Sequence, residues 1–384
     1  MIDKLEKTKC TGCFSCVQKC PKKCIDVVMN EEGFLVPAVN TELCIGCDLC
    51  EKACPQLNPV IKNEPINTYA AYAKEKTIIK RSTSGGVFAV IATNILKDGG
   101  VVFGVEMTDD GIVRTCAIEK PENLYKLQGS KYVQANTGTV YKQVREYLQR
   151  NKIVLFSGTP CQVAGLYAYL GKEHKNLYTV EVVCHGVPSQ ELFDRYRAWL
   201  AKKLKSKIVH WSFRNKEKEG WAQIDKLELS DRVIYRRERL DPYMYAYLKG
   251  YSLRESCYTC QYCCSQRCAD ITVGDFWGIS IHHPEFNNVC GVNLLLINTE
   301  KGRIILDRIK GEVELLPSNY EFMKAHNSGL VYSFPKPIQR KTFYRDFKKK
   351  TIDAFVKQNM KVPLNVQEII RQYVPKKVRS IVKK

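Results

Sequence analysis

At 384 residues, 45% of them hydrophobic, the chain has room for a small domain beside a larger one with an ordinary core, and its formal net charge of +20 favours an acidic partner, an anionic substrate, a membrane surface or nucleic acid. Eighteen cysteines would suit a secreted disulfide scaffold, but they fall in metal-type spacings, MIDKLEKTKC has no apolar leader core, and no apolar run is long enough to span a bilayer. Those observations argue against the secreted and membrane-spanning classes and give the expectation of a cytoplasmic protein.

Residues 10–21 read CTGCFSCVQKCP and residues 44–55 read CIGCDLCEKACP, so one CxxCxxCxxxCP pattern is written twice. Two intervening residues let three thiolates converge on one cube from a tight loop, while Cys-Pro turns the chain away and sends its sulfur to a neighbouring cube. Gly12 and Gly46 allow the backbone to approach closely. Structural zinc is the competing reading, but zinc sites usually present two CxxC pairs separated by about a dozen residues or more. The tandem run resembles the bacterial two-cluster ferredoxin. That resemblance implies that Cys10, Cys13, Cys16 and Cys54 hold one 4Fe-4S cluster, and Cys44, Cys47, Cys50 and Cys20 the second. Cys24 fits neither run and is expected to be a buried thiol.

After Pro55 a stretch rich in Pro and Asn reads as a linker, followed by a strand at residues 68–73. In RSTSGGVFAVIATNILKDGG the apolar residues Val87, Ile91, Ile95 and Leu96 recur at helical spacing, Ser84 is the expected cap, and Gly99 and Gly100 stop the helix. Ser84, Gly85 and Gly86 therefore stand at a helix N-terminus, which suits a phosphate, although close helix packing is the commoner reason for glycines there. Strands at 101–106 and 112–118 lead into LQGSKYVQAN, where Gly129, Ser130, Lys131, Tyr132, Gln134 and Asn136 suit a planar heterocycle or form an ordinary polar loop.

The clearest α/β units come next. A strand at 153–156, a turn at 157–160 and a helix ending at Gly171 are followed by a strand at 178–183 and a helix capped by Ser189. The turn supplies Gly158, Thr159 and Pro160 at a second helix start. Cys161 and Cys184 leave the two strands and share an edge if the strands are neighbours. Alternation over 208–235 reads as an antiparallel insertion. RESCYTCQYCCSQRCADITVGDFWG carries the CxxC pair Cys257 and Cys260, then Cys263, Cys264 and Cys268. A buried strand at 293–298, a helix at 300–310 and a shorter helix at 317–325 follow. Residues 334–384, with fifteen Lys or Arg against three acids, read as a helical, poorly apolar, basic tail.

The order of the double cysteine run, STSGG, GSKYVQ, GTPCQ, CHGVPS and a CxxC followed by ADITVGDFWG resembles the family of coenzyme F420 hydrogenase and dehydrogenase beta subunits, over residues 10 to about 325. The resemblance implies FAD in the α/β domain, an iron-sulfur cluster close to it, and a ferredoxin module that feeds or drains electrons; the sequence departs from the family at QYCCSQRC. The fold class expected is α/β, with a ferredoxin-like domain at 1–60, a larger mixed flavin-binding domain with an antiparallel insertion at 61–333, and the basic tail at 334–384.

The function expected is oxidoreduction between ferredoxin, another acidic redox partner or a partner subunit, and an organic substrate at FAD. The alternative is an electron-transfer subunit without substrate chemistry of its own. A zinc and nucleic-acid reading is the third class, and no nucleic acid is expected. A third 4Fe-4S cluster is assigned to Cys161, Cys184, Cys257 and Cys260, with the local set of Cys257, Cys260, Cys263 or Cys264, and Cys268 as its rival. The basic tail is expected to dock an acidic partner outside the catalytic fold. No residue receives a catalytic role.

Overall fold

The repeated sequence produces a repeated backbone in the computed structural model, which describes residues 1–374. Gly12 and Gly46 have φ of 68° and 67°, and Phe14 and Asp48, which follow the second cysteine of each run, have φ of 58° and 53°. Each left-handed residue starts a short helix, Ser15–Lys19 or Leu49–Lys52, that carries the third cysteine of its run. Between them β1 (Ile25–Met29) and β2 (Leu35–Val39) form an antiparallel hairpin.

The larger part is built on eight strands. β3 (Asn67–Ala73), β4 (Val101–Met107), β5 (Val113–Ile118), β6 (Val154–Gly158) and β7 (Leu177–Val182) are followed by a separate antiparallel sheet of β8 (Ile208–Ser212), β9 (Ile224–Leu229) and β10 (Val233–Arg237). β11 (Ile271–Asp275), β12 (Asn293–Ile297) and β13 (Val313–Pro317) complete the large sheet in the order β13-β3-β12-β11-β7-β6-β4-β5. Its centre is parallel: β4 with β6, β6 with β7, and β7 with β11. Short apolar runs such as Val154, Leu155 and Phe156 form these strands because both faces are covered. Leu155 and Val102 join one core with helices Val87–Lys97 and Glu300–Ile309, while Val154, Phe156, Val101 and Phe103 join the opposite one with helices Val140–Gln149 and Pro160–Leu170. Among the described residues no helix is long and apolar enough to cross a membrane.

Several expectations change. Ser84 caps nothing: Gly86, at φ 85°, occupies the N-cap, and the Ser84 hydroxyl donates to the Val292 carbonyl at 2.9 Å. β13 was not foreseen, because it is an edge strand of mixed polarity that ends in Pro317. Nor were helices Val140–Gln149 and Pro242–Leu248.

The tail is helical at Gln339–Lys349, Ile352–Asn359 and Val366–Tyr373, but it does not stand apart from the core. Phe343, Phe347, Phe355 and Met360 are each at most 1% exposed and share a core with Leu192, Phe193 and Tyr196 of helix Gln190–Leu204. The abundance of charge hides a narrow apolar stripe, since Phe343 and Phe347 stand one helical turn apart. Arg340 is buried and bonds Glu32 of the β1–β2 turn, at 2.9 and 2.6 Å, and Glu255 at 2.7 Å. Arg345, Lys348, Lys350, Lys357 and Arg371 also pair with carboxylates of the chain. The end of the expected basic tail, residues 375–384, lies outside the described residues.

Candidate iron-sulfur and cofactor site

The two cysteine sets of the N-terminal module differ in surroundings. Cys13, Cys16 and Cys54 are buried and Cys10 half-buried, and Cys13 and Cys16 both feel the charges of Cys10 and Cys54. Cys20, Cys44, Cys47 and Cys50 line a small cavity near the surface, with Cys47 exposed. Cys24 is buried as expected, but it lines that same cavity, with its sulfur 3.4 Å from that of Cys20. Among the described residues no three or more His, Cys, Asp or Glu side chains stand close enough together to hold a single metal ion. A cube spreads its thiolates over four corners, so the geometry relevant to it is neighbourhood around a common space.

The inner set faces the large sheet. Helix Pro160–Leu170 begins where β6 ends, is capped by Thr159 in a box with Gln162, and stops at Gly171 in the left-handed conformation. Burial pushes the Cys13 thiol up to about 12, and its neighbours include Cys161 in the first turn of this helix. Gly165, one turn further on, makes the approach possible: a methyl there would stand 2.8 Å from Cys13 Cβ, 3.0 Å from its sulfur and 2.9 Å from the Tyr141 hydroxyl. Gly165→Ala is therefore expected to overpack this contact, at about 1–3 kcal/mol, and to lower iron bound per chain. Unchanged iron content and an unchanged melting temperature would show slack at the contact.

β6 and β7 pair in parallel with Gly158 opposite Glu181, so Cys161 and Cys184 leave the sheet at one edge. One cavity of about 340 Å³ opens there. Cys161, Cys184, Cys257, Cys260 and Cys263 all line it. Burial raises the Cys161 thiol to about 11 and Cys257 to about 12, and holds Cys184 well above its ordinary range, with the other cysteines of this group adding to each shift. Such thiols give up their protons near neutral pH only when a metal replaces them. Cys263 is hydrogen-bonded to Cys260, and that bond is the main reason the Cys260 thiol falls to about 7. Cys264 and Cys268 do not line this cavity. Cys264 bonds the carbonyls of Gln261 and Gln266, and Cys268 is buried among Glu181, Arg267 and Lys62.

The same cavity is lined by Ser84, Gly86, Gly129, Ser130, Lys131, Tyr132, Gln134, Gly158, Thr159 and Pro160. Gly85 is not among them. A side chain there would meet the Ala71 carbonyl at 2.4 Å and the Asn293 amide at 2.8 Å, so close packing on β3 and β12 requires this glycine. Thr159 and Pro160 offer few donors: the Thr159 amide is taken by Gln162 Oε1 at 3.1 Å, and proline has none. The first turn of helix Val87–Lys97 is better placed, with Gly86, Val87 and Phe88 on the wall; the Val87 amide already donates to Asn293 Oδ1 at 3.2 Å.

Within GSKYVQ the side chains have separate tasks. Gln134 donates to the Thr11 carbonyl of the N-terminal module at 2.9 Å, and the Tyr132 hydroxyl meets Arg214 at 3.3 Å. Asn136 does not line the cavity; its Oδ1 accepts from the Gly138 amide at 2.9 Å. Burial pushes the Lys131 ammonium down to about 7, and it donates to the carbonyls of Lys126 and Gln128.

Three residues went unnoticed in the sequence. Glu181 and Arg267 form a wholly buried ion pair at 2.5 Å behind the cysteine loop, and Arg254 joins the two modules. The position of Arg254, three residues before Cys257, was the one available signal.

Three family models match the chain in order: the 4Fe-4S dicluster domain over residues 9–57, and the N-terminal and C-terminal parts of the coenzyme F420 hydrogenase/dehydrogenase beta subunit over residues 68–142 and 151–319. A subunit of the F(420)H(2) dehydrogenase of Methanosarcina mazei is 22% identical over 329 residues, spanning 80% of this chain and 84% of that protein. Ferredoxin-3 of a Nostoc species is 31% identical over 68 residues, 14% of this chain and 70% of the ferredoxin. A chain of the xenon-derivatised F420-reducing [NiFe] hydrogenase complex from Methanosarcina barkeri aligns with a TM-score of 0.48 and 15% identity, over 77% of this chain and 90% of that one.

Proposed function

The chain belongs to the family of coenzyme F420 hydrogenase/dehydrogenase beta subunits and is an iron-sulfur electron-transfer protein, and from that premise we propose that it passes electrons between a redox partner and an organic substrate at FAD. The observation that carries the reading is the single cavity shared by the polar loops and by Cys161, Cys184, Cys257 and Cys260. The four cysteines would hold a third 4Fe-4S cluster. FAD, when bound, supplies the exchange between single electrons and electron pairs.

The chain's own residues perform the rest. The first turn of helix Val87–Lys97 and the Gly129–Ser130 turn face the cavity and suit the phosphates and the ring system. Gly165 brings Cys13 against Cys161, so the inner cysteine set stands beside the cavity set. The outer set, with Cys47 exposed and Leu43 and Ile45 beside it at 57% and 60% exposure, is the side open to a ferredoxin or another redox partner.

Anaerobically purified protein is expected to release FAD on acid treatment and to hold more iron than two 4Fe-4S clusters contain. Cys184→Ser should remove about a third of the iron, because an oxygen ligand replaces one thiolate of one cube in three. Two-cluster iron with no flavin would overturn the proposal and leave an electron-transfer subunit without substrate chemistry.

A further inference from the structure

Arg254 is 4% exposed, yet among the described residues no carboxylate pairs with it. Its guanidinium donates to the Cys10 carbonyl at 2.7 Å, the Cys10 sulfur at 3.7 Å, the Leu35 carbonyl at 3.1 Å and Gln134 Oε1 at 2.9 Å. The Phe34 ring covers it at 5.2 Å. Gly12 leaves room for this approach, since a methyl there would stand 2.9 Å from a guanidinium nitrogen of Arg254. On the other side, the Arg254 carbonyl accepts the Cys257 amide at 2.9 Å, and the side chain lines the cavity that holds Cys161 and Cys257. A buried cation without a counter-charge is costly. The anions within reach are the thiolates on either side of it.

We propose that Arg254 is the shared counter-cation of two neighbouring clusters: the inner one on Cys10, Cys13, Cys16 and Cys54, and the cavity one on Cys161, Cys184, Cys257 and Cys260. Reduction adds one electron to a cluster, and a fixed positive charge in a poorly solvated site stabilises the more negative form. Arg254 thus raises both potentials relative to the outer cluster, so electrons entering at the surface run inward. Arg254 lines the cavity together with Cys161, Cys184, Cys257 and Cys260, and its carbonyl holds the Cys257 amide, so its charge stands beside that set as well. The cavity half of this inference rests on the third cluster proposed above; the Cys10 half does not.

The test is a redox titration of the full chain with its clusters, followed by electron paramagnetic resonance. In Arg254→Met the reduction equilibrium of the inner cluster should fall at least tenfold, which is 59 mV for one electron, while the outer cluster stays put. Arg254→Lys keeps the charge and should recover most of the shift. No shift in Arg254→Met, an equal shift of the outer cluster, or a shift as large in Arg254→Lys would overturn the assignment. Should Arg254→Met fail to assemble, wild-type protein grown with ¹⁵N-arginine should show nitrogen hyperfine coupling to the reduced inner cluster, and its absence would overturn the assignment equally. Iron for only two clusters in the wild type would remove the cavity half together with the third cluster, and the inner-cluster shift would still decide the Cys10 half.

Discussion

A chain ended at Tyr332 is expected to lose its folded state and its iron. Truncation there removes Phe343, Phe347, Phe355 and Met360 from the core shared with Leu192, Phe193 and Tyr196. Truncating a single buried Phe typically costs about 3–5 kcal/mol, and a whole domain holds only about 5–15 kcal/mol. Arg340 is lost as well, and with it the ion pairs that tie the tail to Glu32 of the N-terminal module and to Glu255 beside Cys257. The graded version is Phe343→Ala in the full chain, which should lower the midpoint of denaturant unfolding by an amount equivalent to about 3–5 kcal/mol. A truncated chain with native circular dichroism and full iron would show that these helices are dispensable.

Glu181→Ala should be the most damaging single substitution at the sheet centre. Glu181 is fully buried and accepts from Arg267 Nε at 2.5 Å, the Ala269 amide at 3.2 Å and the Thr272 hydroxyl at 3.1 Å. Arg267 in turn donates to the Tyr262 and Cys264 carbonyls, which shapes the loop after Cys260. Removing one partner of a buried pair leaves the other charge uncompensated, at about 3–5 kcal/mol. Replacing both, as in Glu181→Leu with Arg267→Met, should recover much of that loss, because no orphan charge remains. Chemical denaturation of the single and double variants separates the outcomes. A single-variant loss below about 1 kcal/mol would mean that the pair is not electrostatically isolated.

Local rules explain why much of this molecule is legible in its sequence. Ligand spacing and Cys-Pro are written within a dozen residues, so the duplicated run specified its own backbone down to Gly12 and Gly46. The α/β units were legible because apolar runs, Thr159, Ser189 and Gly171 act within one turn of the chain. Parallel pairing of β6 and β7, which the sequence left conditional, put Cys161 and Cys184 at one edge. Other features depend on partners far away in the chain. Gly85 reads as a phosphate loop and is a packing contact, because the Ala71 carbonyl and Asn293 reach it from other strands. Arg254 looks like any surface arginine until a loop more than two hundred residues earlier closes over it. The tail reads as solvated charge because composition averages over all faces of a helix, whereas burial acts on only one, and only the folded core shows that Phe343 and Phe347 occupy it.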